Sequence, residues 1–177
     1  FIMTTIEELG LLKMDFLGLR TLSVIDNAIK MAKEKDNSIE IDFEKIGYDD
    51  KKVFELIGSG KTEGVFQLES AGMKSFMKEL KPENLEDVIA GISLYRPGPM
   101  DFIPDYIKGK NDRDSITYLC PELKPILEPT YGCIVYQEQV MQIVRDLAGY
   151  SMGRSDLVRR AMSKKKDEVM EKERANF

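Results

Sequence analysis

Histidine is absent from the 177 residues. Its absence excludes Ser/His and Cys/His triads and any metal centre built on imidazole. A metal would have to sit on carboxylates, which points to Mg²⁺ or Mn²⁺. Cysteine is scarce: Cys120 and Cys133 have neither metal-ligand spacing nor the density of a disulfide scaffold, so a reducing cytoplasm is the expected compartment. No apolar run approaches the ~18 residues of a membrane span, and no signal-peptide pattern is present, so no membrane role is expected. There is no initiator Met before Phe1, and the chain reads as a piece of something longer. Internal repeats and low-complexity stretches are missing as well.

What is there suits one large domain or two small ones. Apolar residues make up 42% of the chain, enough for a core, and charged residues 32%, above the usual quarter. The net charge is −5, yet residues 154–166 hold six Lys/Arg against the single acid Asp156. On a helical wheel at ~100° per residue, Leu157, Val158, Ala161 and Met162 share one arc. Arg159, Arg160, Ser163 and Lys164 share the opposite one. Lys165 falls on the apolar arc, so the helix ends or the side chain snorkels there. A docked face with cations opposite suits a polyphosphate or a nucleic-acid backbone. A solvated basic helix end is the bland alternative.

Hydrophobic spacing predicts helices over 21–35 (capped by Thr21 or Ser23), from Asp49 to Ile57, over 71–80 behind a Ser70 cap, 82–94, 101–110, 121–127, 133–149 and again past Ser151. Leu11–Leu19, short, apolar and bounded by glycines, reads as a buried strand. Asp15 in its middle either caps a turn or holds a metal. Val65, Phe66 and Leu68 are expected inside, with Gln67 and Ser70 at a polar turn. Arg96 precedes Pro97-Gly98-Pro99, a rigid turn that either aims it at a phosphate or forms an ordinary loop. Gln137, Glu138, Gln139 and Gln142 read as polar surface that faces DNA or water.

Five ordered motifs carry a resemblance that covers essentially the whole chain: LLKMDFLGLRTLSVI, GVFQLESAGM, LYRPGP, the run from Leu123 through PTYGCIVYQEQVMQI, and GYSMGRSDLVRRAMSKK. Together they resemble the alpha subunits of bacterial DNA polymerase III, the C-family replicative polymerases. Ser155 stands where the family pattern has Ala, Val158 where it has Leu and Ser163 where it has Gly.

The resemblance implies a mainly α fold with a few short β-strands: an irregular helical fingers domain over 21–177, and over 1–20 the end of the palm with one orphan strand. It implies two-metal nucleotidyl transfer, with Asp15 as catalytic metal ligand and Mg²⁺ as the ion. Arg159, Arg160 and Lys164 would hold the incoming dNTP triphosphate. Arg96, Gln67, Ser70 and Gln137 would contact nucleotide or template. Partners implied are dNTP, primer-template DNA, and in the intact protein the sliding clamp and other holoenzyme subunits. A non-catalytic helical DNA-binding or adaptor module with a basic helix is the alternative.

The family's other two palm carboxylates form a D-x-D pair upstream of the Asp15 segment, and no such pair precedes Phe16. The 177-residue chain alone is therefore expected to incorporate no dNTP on a primed template. Primer extension in a gel assay would contradict this.

Overall fold

The computed structural model describes residues 2–12 and 14–177; Phe1 and Lys13, the latter part of the predicted 11–19 strand, lie outside them. Two compact units divide at Gly47/Tyr48, and each is described by itself. The first holds α1 (Met3–Glu8) and α2 (Arg20–Lys35). Leu19 stands at the N-cap of α2 without a side-chain bond, so neither Thr21 nor Ser23 caps it.

Among the described residues there is no strand, which corrects the expected short β-strands, the palm strand included. Leu12, Phe16 and Leu17 are 84–96% exposed instead. A strand needs a neighbour to bond its backbone groups, and the described residues of this unit offer two helices and no strand. Asp15 is exposed on the same segment.

The second unit contains α3 (Lys51–Ser59), α4 (Ala71–Leu80), α5 (Leu85–Leu94), α6 (Ile103–Asn111), α7 (Lys124–Leu127), α8 (Gln137–Ala148), α9 (Met152–Ser163) and α10 (Asp167–Asn176). Short 3-10 turns at Pro99–Phe102, Arg113–Ser115, Pro121–Leu123 and Glu128–Thr130 link the middle of it. Caps mark the helix starts. Asp50 Oδ1 accepts from Lys52 N at 2.9 Å, and Ser70 Oγ accepts from Met73 N at 3.2 Å, as the sequence predicts for α4. Asn84 Oδ1 accepts from Asp87 N at 2.8 Å, so α5 begins at Leu85, later than its proline suggests.

The main core joins α3 to α6 through Ile57, Met73, Phe76, Met77, Leu80, Leu94 and Tyr106. Phe66, expected inside, is 49% exposed. Two smaller cores follow: Leu123, Ile126 and Leu127 with Ile143 and Leu147 of α8, and Val144, Tyr150 and Val158 with Met170. Helix α8 serves both. Burial pushes the Cys133 thiol up to about 11, so it stays neutral near pH 7. Among the described residues no helix is long and apolar enough to cross a membrane.

One buried charge pair ties α5 to α6. Asp87, 2% exposed at its side chain, lies 3.3 Å from Lys110 Nζ. Its oxygens also accept from Glu83 N at 3.0 Å and from the Tyr131 hydroxyl at 3.2 Å. Removing one partner of such a pair strands the other charge out of water. Lys110→Met is expected to destabilise the fold by about 3–5 kcal/mol in urea denaturation, with part of the loss recovered in the Asp87→Leu, Lys110→Met double variant. A loss within measurement error would contradict a paired, buried Asp87.

Candidate anion-binding site

The site is built on α8 and α9, and a buried amide fixes where α8 starts. The Gln139 side-chain oxygen accepts from Val135 N at 2.8 Å and from Tyr136 N at 2.9 Å. Its amide nitrogen donates to Ile126 O at 3.1 Å and to Thr130 Oγ1 at 2.7 Å. The Thr130 hydroxyl donates in turn to Cys133 O at 2.6 Å. Gln139 is therefore buried structure, not the polar surface its neighbours suggest, and Tyr136, at the N-cap of α8, is extended. The helix expected from Cys133 begins at Gln137.

Gly149, at φ +66°, closes α8 by donating its N–H to Arg145 O at 2.9 Å. Glycine suits that left-handed conformation. Ser151 then caps α9, its hydroxyl accepting from Arg154 N at 3.3 Å. Ser155, Val158 and Ala161 form the buried face of α9. Leu157 and Met162, placed on that face by the wheel, are each 47% exposed. The buried stripe is thus narrower and rotated toward Ser155. The Ser155 hydroxyl donates to Ser151 O at 2.9 Å, which explains how a Ser fits there.

The cations divide by what holds them. Arg154 lies 3.9 Å over the Tyr150 ring and bonds Glu173 at 2.9 Å, so it joins α9 to α10. Arg159 bonds Asp156 Oδ1 through Nε at 2.9 Å and Nη2 at 2.6 Å, and its Nη1 donates to Gln137 Oε1 at 2.7 Å. Among the described residues Arg160 makes one ion pair, Nε to Asp156 Oδ2 at 2.7 Å, and its side chain is 68% exposed against 25% for Arg159. The hydrogen bond from Arg159 holds the Asp156 carboxyl below the usual range, aided by both arginine charges and opposed by desolvation.

Helix α9 ends in a Schellman turn. Lys166 N donates to Ala161 O at 2.9 Å, Lys165 N to Met162 O at 3.2 Å, and Lys165 has φ +50°. Ser163 is an ordinary helical residue, so its backbone does not need the family's Gly; the left-handed position is two residues later. The turn brings Lys166 beside Arg160 and Lys164. With Asp156, Leu157 and Val169 these line an open cavity of about 500 Å³. Lys165 is not among its lining residues.

Gln67 and Ser70 precede α4, Ser70 as its N-cap, and Arg96 follows the end of α5. Gln67 has φ +66°, inside a turn closed by Leu68 N to Val65 O at 3.0 Å, a conformation that disfavours a side chain. Tyr95 ends α5, and Arg96 N donates back to Leu94 O at 2.7 Å. The Tyr95 hydroxyl occupies the space of a Gly72 side chain: a Cβ there would lie 1.8 Å from it. The residue before Arg96 is thereby seated on the first turn of α4. Among the described residues no hydrogen bond or ion pair joins Gln67, Ser70 or Arg96 to the α9 cations.

Two participants escaped the sequence reading. Asp156 stands three and four residues before the arginine pair, a spacing that on a helix pairs it with both. Lys166 depends on a left-handed Lys165, which no residue type announces. The described residues contain no group of three or more Asp, Glu, Cys or His placed to hold a metal ion. Asp15 alone does not make a Mg²⁺ centre.

The Bacterial DNA polymerase III alpha subunit finger domain family matches residues 21–177. The chain is 55% identical to DNA polymerase III subunit alpha of Staphylococcus aureus (strain COL) over 99% of its own length. It is 54% identical to the same-named protein of Staphylococcus epidermidis over the same share. It spans 16% of the length of each.

Since Gln139 fixes the start of α8, Gln139→Leu is expected to cost about 3 kcal/mol, leaving two backbone N–H groups and a carbonyl unpaired, measured by urea denaturation. An unchanged midpoint would contradict that role.

Proposed function

The chain belongs to the bacterial DNA polymerase III alpha subunit finger-domain family, and from that premise we propose that it binds the triphosphate of an incoming dNTP during template-directed DNA synthesis. The observation that carries this reading is the cavity in which Arg160, Lys164 and Lys166 converge. A triphosphate carries several negative charges within a few ångströms, and fixed cations on a helix end suit it.

In this reading the parent enzyme is a replicative DNA-directed DNA polymerase. A primer 3′-hydroxyl attacks the α-phosphate, and pyrophosphate leaves. The chain's own share is to hold the β- and γ-phosphates and to offset charge growing on the leaving group. Arg160 and Lys164 make direct contacts. Arg159, tied to Gln137 and Asp156, fixes the face that presents them. Arg96, Gln67 and Ser70 contact nucleotide or template. Residues 1–20 are assigned to the end of the palm and 21–177 to the fingers. Asp15 is the position that would contribute a carboxylate to Mg²⁺ in the parent; the residues present here do not complete that centre, and no step is assigned to it. Primer-template DNA, the sliding clamp and other replicative subunits are the parent's proposed partners.

Titration of the chain with a dNTP at ~50 mM salt tests the reading. Binding is expected that weakens as salt rises and is lost on Arg159→Ala plus Arg160→Ala, with far-UV circular dichroism unchanged. No binding at low salt, where phosphate contacts are strongest, would favour a structural adaptor. Binding of single-stranded DNA but not dNTP would favour a non-catalytic DNA-binding module.

A further inference from the structure

We propose that Asp156 is a built-in counter-anion that occupies Arg160 until a polyphosphate displaces it, and that Lys166 is a further phosphate contact at the same site. This rests on the triphosphate reading above and adds to it how the site is kept before the ligand arrives. Asp156 divides its carboxylate between the arginines, Oδ1 to Arg159 and Oδ2 to Arg160. The two holds are unequal. Arg159 is fixed by two bonds to Asp156 and one to Gln137, while among the described residues the more exposed Arg160 has one ion pair. Arg160 is the partner that an anion in the cavity can take, because only one bond must be exchanged. Arg159 keeps Asp156 in place through the exchange.

The three cations of the cavity, Arg160, Lys164 and Lys166, repel one another and attract any anion. One carboxylate among them offsets that repulsion and keeps Arg160 over the cavity in a defined pose. It also weakens capture of small, singly charged anions, which cannot match the carboxylate's bonds. A triphosphate offers several oxygens, and reaches Lys164 and Lys166 at the same time. Lys166 enters the cavity because the Schellman turn folds it back to Ala161 O, whereas Lys165, at the left-handed position, does not line it.

The probe is inorganic tripolyphosphate, titrated calorimetrically into the chain at ~50 mM salt. Asp156→Asn removes the charge and keeps the shape. It is expected to bind about fivefold tighter than the unaltered chain, the scale of one unit charge about 4 Å away in near-aqueous surroundings. Lys166→Ala is expected to bind several-fold weaker and Lys165→Ala the same as the unaltered chain. A readout in the unaltered protein guards against misfolding of variants: on adding tripolyphosphate the Arg160 Nε–H resonance shifts and that of Arg159 does not. Unchanged or weaker binding by Asp156→Asn, or the two arginine signals moving together, overturns the counter-anion. Equal losses at Lys165 and Lys166 overturn the Lys166 contact. If neither the unaltered chain nor Asp156→Asn binds, the triphosphate reading fails and the inference with it. Binding without the predicted differences overturns the inference alone.

Discussion

The side-chain amide of Gln139 is the constraint on which the site depends. It satisfies two backbone N–H groups ahead of α8 and reaches back to Ile126 and Thr130. Four hydrogen bonds in a buried place, all satisfied, define one arrangement and penalise others, since each unmade bond costs more than a made one returns. The α8 start, so fixed, sets the direction of Gln137. At the other end Gly149 and the buried Tyr150 turn the chain into α9. Val144, Tyr150 and Val158 pack together, and the cations of α9 are displayed from that seat.

Electrostatics then decides which cations remain available. The stretch 154–166 is not a uniform basic face. Arg154 is spent on Glu173 and Tyr150, and Arg159 on Asp156 and Gln137. Arg160, Lys164 and Lys166 are left around one cavity. A solvated basic helix end would not need a carboxylate set between two arginines, nor a helix stop that returns a lysine to the same cavity.

Much of this was legible in the sequence. The Ser70 cap follows from residue type and position, and the apolar spacing of α8 and the charge excess of α9 follow from periodicity. Five ordered motifs point to the family that the matching of residues 21–177 establishes. Other features depend on neighbours distant in sequence. Gln139 looks like surface because its three polar neighbours Gln137, Glu138 and Gln142 are exposed; its burial is decided by Thr130 and Ile126. Leu11–Leu19 has the composition of a buried strand, but composition cannot supply the adjacent strand. Leu157 and Met162 were placed inside by a wheel that takes all apolar residues as equal, whereas small Ser155 and Ala161 allow the close packing. Lys165 shows no residue-type signal for a left-handed φ, so the place of Lys166 was hidden.

The central claim is that Arg160, Lys164 and Lys166 form one triphosphate cradle at the end of α9. Lysine footprinting tests it most directly: the chain is acetylated briefly with and without saturating dATP, and each lysine's labelling is quantified by mass spectrometry. The account predicts that dATP protects Lys164 and Lys166 and leaves Lys165 as reactive as before. Equal labelling of all three with and without nucleotide, or protection confined to lysines elsewhere such as Lys124, would contradict it.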